Sequence, residues 1–101
     1  MAYILQVDFK MEGPFGSEMA ESFSDLAKSI NEEDGLIWKI WTENREEKEA
    51  GGIYLFESKE TAQKNVERHT ARLKGFGIDP VNAKIFEVND ELSKINHGPI
   101  K

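Results

Sequence analysis

The segment GLIWKIWTEN, residues 35–44, constrains the possible folds more than any other part of this sequence. Its composition predicts a β-strand, and successive side chains of a strand point to opposite faces of the sheet. Trp38 and Trp41 are three positions apart, so they are expected on opposite faces. A sheet that carries a tryptophan on each face needs a cover on both sides.

Three more strands and two helices are predicted around this segment. Alternating apolar and polar residues, or short apolar runs between turn residues, indicate strands. The predicted strands are residues 3–9, 36–42, 53–56 and 81–88. An apolar stripe at helical spacing predicts a first helix from Ser17, as N-cap, to about residue 32. A second helix follows Ser58 and ends in the glycine-containing residues 74–80, and the tail from residue 90 is expected to dock as a short helix or arm.

The resulting βαββαβ order predicts one ferredoxin-like α+β domain over residues 1–101, with a four-stranded antiparallel sheet and both helices on one face. The other face would then be polar in a monomer. Apolar side chains are nevertheless predicted there, and they are Trp41, Ile53, Leu55, Phe86 and Val88. A second copy of the sheet is the simplest cover, so we expect a homodimer formed through the Trp41 side of the sheet.

Composition excludes several classes of protein. The net charge of -6 argues against binding to the phosphate backbone of nucleic acids. The chain has no apolar run long enough to span a membrane, and its start does not resemble a secretion signal. It contains no cysteine, and its two histidines lack ligands at metal-binding spacing. We therefore expect a cytoplasmic protein without a metal site.

The candidate site is a cleft between the sheet and the helices. It forms if Trp38 and Tyr54 face the helices, and its residues would be Trp38, Tyr54, His69, Arg72, Phe15 and Phe23. An apolar cleft with few polar groups is typical of a small-molecule site. A purely structural interpretation stays open for four of these residues: Trp38 as core, Tyr54 as core with its hydroxyl at the edge, His69 as a helix-surface or hydrogen-bonded residue, and Arg72 as the solvated partner of an acidic residue.

Several segments resemble the YdhR-type putative monooxygenase family. They are GPFG at residues 13–16, GLIWKIWTE at 35–43, EAGGIYLF at 49–56, HTARLK at 69–74 and LSKIN at 92–96. The resemblance implies a dimeric α+β barrel, made of two ferredoxin-like protomers joined through their sheets. It also implies a fold similar to that of quinone-forming monooxygenases, which oxidise aromatic substrates without flavin, haem or metal.

The leading hypothesis is therefore a cofactor-independent monooxygenase that acts on a small aromatic or quinol-type compound. Trp38, Tyr54 and the phenylalanines would bind the ring, Arg72 would stabilise an oxyanion, and His69 would move a proton. A binding protein that sequesters or senses a similar ligand in the same cleft is the alternative. A dimeric isomerase or cyclase with His69 as general base also stays open, because the fold alone does not choose between these functions.

Overall fold

The computed structural model describes residues 2–100 and has the predicted βαββαβ order, followed by a short helix. The elements are β1 (Tyr3–Lys10), α1 (Gly16–Ile30), β2 (Leu36–Asn44), β3 (Glu49–Phe56), α2 (Lys59–Gly75), β4 (Val81–Glu87) and α3 (Asp90–Ile95). All neighbouring strands are antiparallel, and the strand order is β2-β3-β1-β4. The predicted ferredoxin-like fold, of the dimeric α+β barrel type, is confirmed.

The start of α1 differs from the prediction. Ser17 lies inside the helix, and the N-cap position is occupied by Phe15, which has no side chain that could accept a hydrogen bond. The backbone N–H of Gly16 instead donates to Glu43 Oε1 at 2.9 Å, so a carboxylate from β2 satisfies one of the free N–H groups of the helix. The predicted cap of α2 is confirmed, because the side chain of Ser58 accepts from Thr61 N at 3.2 Å.

Strand β3 begins earlier than predicted, at Glu49, and therefore includes Gly51 and Gly52. A Cβ atom at Gly51 would overlap the backbone carbonyl oxygen of Val7, so only glycine permits the observed approach of β1 and β3. A Cβ atom at Gly52 would lie 2.7 Å from Lys39 Cε. This glycine leaves the space through which the Lys39 side chain passes.

An irregularity in β2 reverses the predicted faces of the two tryptophans. Leu36 is opposite Phe56, but Trp38 is opposite Leu55, so β2 advances two residues while β3 advances one. This bulge turns every later side chain of β2 to the other face. The predictions that Trp38 faces the helices beside Tyr54 and that Trp41 lies on the outer face are therefore wrong. Trp41 is opposite Gly52 on the helix-facing side.

The main core lies between the sheet and the helices and contains Leu5, Val7, Ile30, Tyr54, Phe56 and Ala62. Helix α2 packs against β1, β3 and β4, whereas the backbone of α1 stands farther from the sheet. The outer face of the sheet carries Leu55, which is fully buried, and Trp38 opposite it. The indole N–H of Trp38 donates to the carbonyl oxygen of Pro99 at 2.8 Å, so the C-terminal tail reaches this face.

Within residues 2–100, no helix combines the length and the apolar character that crossing a membrane requires.

Candidate functional site

A cavity of about 530 Å³ opens on the helix-facing side of the sheet. Strands β1, β2 and β3 form its floor, α1 and α2 contribute to its walls, and the segment after α2 closes one end. The residues most relevant to its chemistry are Phe23, Lys39, Trp41, Tyr54 and His69. The wider separation of α1 from the sheet is what leaves this space unfilled.

Aromatic rings form much of the wall. Trp41 stacks on Phe23 with ring centroids 6.1 Å apart and an angle of 16° between the ring planes. Tyr54 meets His69 edge to face, with centroids 6.0 Å apart. A second cavity of about 550 Å³, between α1 and β2, shares Phe23, Trp41 and Lys39 with the first. The stacked pair therefore stands between two adjoining spaces of similar size.

Lys39 is the most unusual polar residue of the cavity. Its Nζ atom lies 3.5 Å from the ring centroid of Trp41 and 4.5 Å from that of Tyr54. Burial, and second the positive charge of Arg72, lower the pKa of Lys39 from 10.5 to about 7. None of the ion pairs formed within residues 2–100 includes Lys39. The cavity thus contains an amine that can gain or lose a proton near neutral pH.

The neighbours of Lys39 are held in their neutral forms. Burial, and then the charges of Lys39 and Arg72, lower the pKa of His69 to about 4, so its imidazole is uncharged at neutral pH. Burial also raises the pKa of the Tyr54 hydroxyl above its ordinary value, although Arg72 acts in the opposite direction. Tyr54 therefore keeps its proton, and Lys39 is the group of this trio that titrates near pH 7.

Lys39 and Arg72 place positive charge on the interior of the cavity, and the carboxylate of its described lining lies at the rim. Among the described residues that line it, Glu12 is the one carboxylate. The Glu12 side chain is 85% exposed and pairs with Lys48 at 3.2 Å, so it belongs to the solvated rim. An organic anion in the interior would meet Lys39, with Arg72 close enough to act on the same groups.

The structure brings three of the six predicted site residues to the cavity lining, and they are Phe23, Tyr54 and His69. Arg72 is half-buried on α2 and acts on the lining through its charge without lining the cavity itself. Phe15 does not line the cavity but packs against Met11, Met19 and Ala50, which do.

Trp38 lies on the opposite face of the sheet, because of the bulge in β2. Sequence reasoning missed Lys39 and placed Trp41 on the wrong face. The position of Gly52 in the sequence could have indicated that Lys39 and Trp41 belong to the site. A glycine in the middle of a strand often marks a place where another group approaches closely, and here it is opposite Trp41 and beneath Lys39.

The fold and the cavity together define a small α+β protein of the dimeric α+β barrel type with an aromatic-walled cavity. The chain belongs to the family described as "Putative mono-oxygenase ydhR", whose model matches residues 4–99. The resemblance inferred from the sequence segments is thus confirmed.

Two solved structures are similar in fold. One is a variant of SnoaB, a cofactor-independent oxygenase from Streptomyces nogalater, with a TM-score of 0.62, 12% identity, and coverage of 87% of this chain and 93% of that one. The other is the protein YJCS, with a TM-score of 0.57, 17% identity, and coverage of 87% and 98%. At these identities the two structures support the fold alone. No curated protein sequence matches this chain significantly.

Proposed function

We propose that this protein is a cofactor-independent monooxygenase that oxidises a small aromatic or quinol-type compound in the cavity beside Lys39. The observation that carries the proposal is an aromatic-walled cavity with an interior amine and no interior carboxylate among its described lining residues. Such a site binds a flat apolar ring and favours its anion over its neutral form. Membership of the mono-oxygenase family supports the same type of activity.

The reaction requires a substrate that supplies its own electrons. An anthrone or a naphthol can lose a proton to give a delocalised anion, and that anion can reduce oxygen directly. One oxygen atom enters the product as a carbonyl group, and the other leaves as water with two substrate hydrogens. The substrate carbon is oxidised and O₂ is reduced, so the atoms and electrons balance without a further reductant.

Each cavity residue has a role in this proposal. Neutral Lys39 accepts the substrate proton, and the resulting ammonium group pairs with the substrate anion. Trp41 and Phe23 provide the ring-binding surface in place of Trp38, which lies on the opposite face of the sheet. The apolar surroundings strengthen the attraction between Lys39 and the anion by excluding water.

His69 and Arg72 have smaller roles than the sequence suggested. His69 is neutral, and with a pKa of about 4 it is a weak base at physiological pH. We propose that it orients the substrate through a hydrogen bond. Arg72 contributes by keeping the pKa of Lys39 low and by adding positive potential for the anion.

The proposal is tested by oxygen consumption with anthrone and 1-naphthol, without any added cofactor, in parallel with quinone absorbance. We expect uptake above the uncatalysed rate, and we expect Lys39→Met to reduce it by about 10² to 10⁴, the usual contribution of a positioned acid or base. Lys64→Met is the matched control, because Lys64 is exposed on α2 and does not line the cavity. Equal rates in the Lys39→Met variant and the parent would refute the role of Lys39.

Ligand binding under nitrogen separates the alternatives. A compound that binds in the cavity but gives no uptake on admission of oxygen would identify a binding protein. Conversion of a compound to an isomeric product under nitrogen would identify an isomerase or cyclase. Either result would contradict the monooxygenase proposal.

We further propose that two copies of the chain pair through the outer face of the sheet. Ile40 on edge strand β2 and Phe86 on edge strand β4 are 53% and 48% exposed there, so apolar surface spans the width of the sheet. Ile40→Asp and Phe86→Asp should convert a dimer to a monomer in size-exclusion chromatography with light scattering. Trp41→Asp, on the other face, should leave the mass unchanged.

A further inference from the structure

The Lys39 side chain reaches the cavity by an unusual path. It leaves β2 on the helix-facing side, opposite Tyr54, and passes over Gly52, where a Cβ atom would lie 2.7 Å from Lys39 Cε. The amine then lies over the rings of Trp41 and Tyr54. Within residues 2–100 it makes neither an ion pair nor a hydrogen bond. The two rings thus hold the nitrogen in position, and no described residue donates a hydrogen bond to its lone pair.

The surroundings favour the neutral amine. Burial and the nearby Arg72 oppose the ammonium form, while the two ring faces attract it, and the balance leaves a pKa of about 7. Roughly half of the Lys39 amine is then neutral at pH 7, compared with about one part in 3,000 for an ordinary lysine. A lysine that is desolvated in an apolar pocket beside another cation is the arrangement that activates lysine as a nucleophile.

The cavity selects the electrophile. Its volume of about 530 Å³ admits a compound of one to three fused rings, and its aromatic walls favour a flat one. We propose that Lys39 is a covalent capture site, at which an aromatic aldehyde or ketone becomes attached to the protein as an imine. This activity needs no oxygen, so it goes beyond the monooxygenase function proposed above and does not depend on it.

The reaction balances as a condensation. The neutral Nζ atom attacks the carbonyl carbon, a C–N bond forms, and the carbonyl π electrons move to oxygen to give a carbinolamine. The oxygen then leaves as water with both hydrogens of the amine, and a C=N bond remains. No atom changes its overall oxidation level, and water reverses the reaction. Carbonyl compounds would thus be held while they remain in the cavity and released on hydrolysis.

Reductive trapping tests the proposal. The intact protein is incubated under nitrogen at pH 7.5 with 2-naphthaldehyde and sodium cyanoborohydride, which reduces the imine to a stable secondary amine. Peptide mass mapping then locates the naphthylmethyl group. We expect Lys39 to be labelled more than about tenfold faster than exposed Lys64, because its larger neutral fraction outweighs the lower nucleophilicity of a less basic amine and because the naphthalene ring binds in the cavity beside it. Labelling of Lys39 at or below the rate of Lys64 would overturn the proposal.

Two controls distinguish cavity capture from surface chemistry. Propanal has no ring to bind, so the preference for Lys39 should fall below that seen with 2-naphthaldehyde, to the level set by the neutral fraction and nucleophilicity of the amine together. Gly52→Ala should displace Lys39 Cε and reduce labelling at Lys39 without changing it at Lys64. Unchanged preference in both controls would show that the cavity does not select the electrophile. Because every reaction is run without oxygen, a failure here is separate from a failure to consume oxygen with anthrone.

Discussion

The buried amine of Lys39 should make the stability of this protein depend on pH in an unusual range. The pKa of Lys39 is about 7 in the folded protein and 10.5 in the unfolded chain. That difference corresponds to a free-energy cost of ~5 kcal/mol for folding with Lys39 protonated. Allowing for solvent contact of the half-buried side chain, we expect ~3–4 kcal/mol.

The sign follows from proton binding. Below pH 7 both states carry the Lys39 proton and the folded state bears the full cost. Between pH 7 and 10.5 the unfolded state binds the additional proton, so the free energy of unfolding rises with pH, by up to ~1.4 kcal/mol per pH unit. The two neighbours of Lys39 whose pKa values are shifted do not titrate between pH 7 and 10, because His69 has a pKa of about 4 and that of Tyr54 is raised.

The assay is urea unfolding, followed by circular dichroism at one fixed protein concentration, from pH 6.5 to pH 10. Lys39→Met keeps the apolar stem and removes the amine, so titration common to both proteins cancels in the difference. The free energy of unfolding of the parent minus that of the variant should rise by ~3–4 kcal/mol across this range. Lys64→Met should give a flat difference. Parallel curves for the parent and Lys39→Met would refute the lowered pKa, and with it the neutral amine on which the chemistry depends.

Three further predictions concern neighbouring features. The fold disfavours protonation of His69, whose pKa is about 4 in place of 6.5. The free energy of unfolding should therefore fall by up to ~3 kcal/mol as pH drops from 6.5 to 4. In His69→Phe this contribution to the pH dependence of unfolding should be absent. Gly51→Ala forces a Cβ atom onto the Val7 carbonyl oxygen and should cost ~2–4 kcal/mol in urea unfolding, and a loss under 0.5 kcal/mol would contradict the strand spacing. 2-Naphthol bound in the cavity should quench the fluorescence of Trp41, which is the tryptophan retained in Trp38→Phe, and should leave that of Trp38, retained in Trp41→Phe, nearly unchanged. Equal quenching in the two variants would contradict the assignment of the two tryptophans to opposite faces.

Much of the fold follows from local sequence patterns. Alternation in β1, helical spacing in α1 and the Ser58 cap of α2 depend on residues close together in the chain, and each led to the correct element. The antiparallel pairing of β2 and β3 follows from the short connection between them, residues 45–48. Short-range patterns thus define both the elements and their order.

The site was harder to predict, because it depends on one residue of register. The bulge between Leu36 and Trp38 arises from pairing with β3, and nothing in the local alternation of β2 indicates where it falls. A shift of one position exchanges the two faces, so it moved Trp38 out of the predicted site and Trp41 into it. Lys39 was overlooked for the same reason, since a lysine beside a tryptophan in a strand is ordinarily assigned to the solvated face.

The distance of Arg72 from the lining has a different cause. Position 72 follows buried His69 by three residues on α2, which indicates the same general side of the helix but not whether the long side chain enters the cavity. Its influence on Lys39 and His69 is electrostatic and acts across space. Helical spacing predicted that Arg72 lies near the cavity, but not that it acts through its charge without lining the cavity.

The most direct test of the monooxygenase proposal is the fate of isotopic oxygen. Anthrone is converted by the protein under ¹⁸O₂ in ordinary water, and the anthraquinone is analysed by mass spectrometry soon after mixing. The proposal predicts incorporation of one ¹⁸O atom per product molecule, at a rate that exceeds the protein-free reaction and falls in Lys39→Met but not in Lys64→Met. Product formation no faster than the protein-free reaction, or equally fast in Lys39→Met, would contradict it.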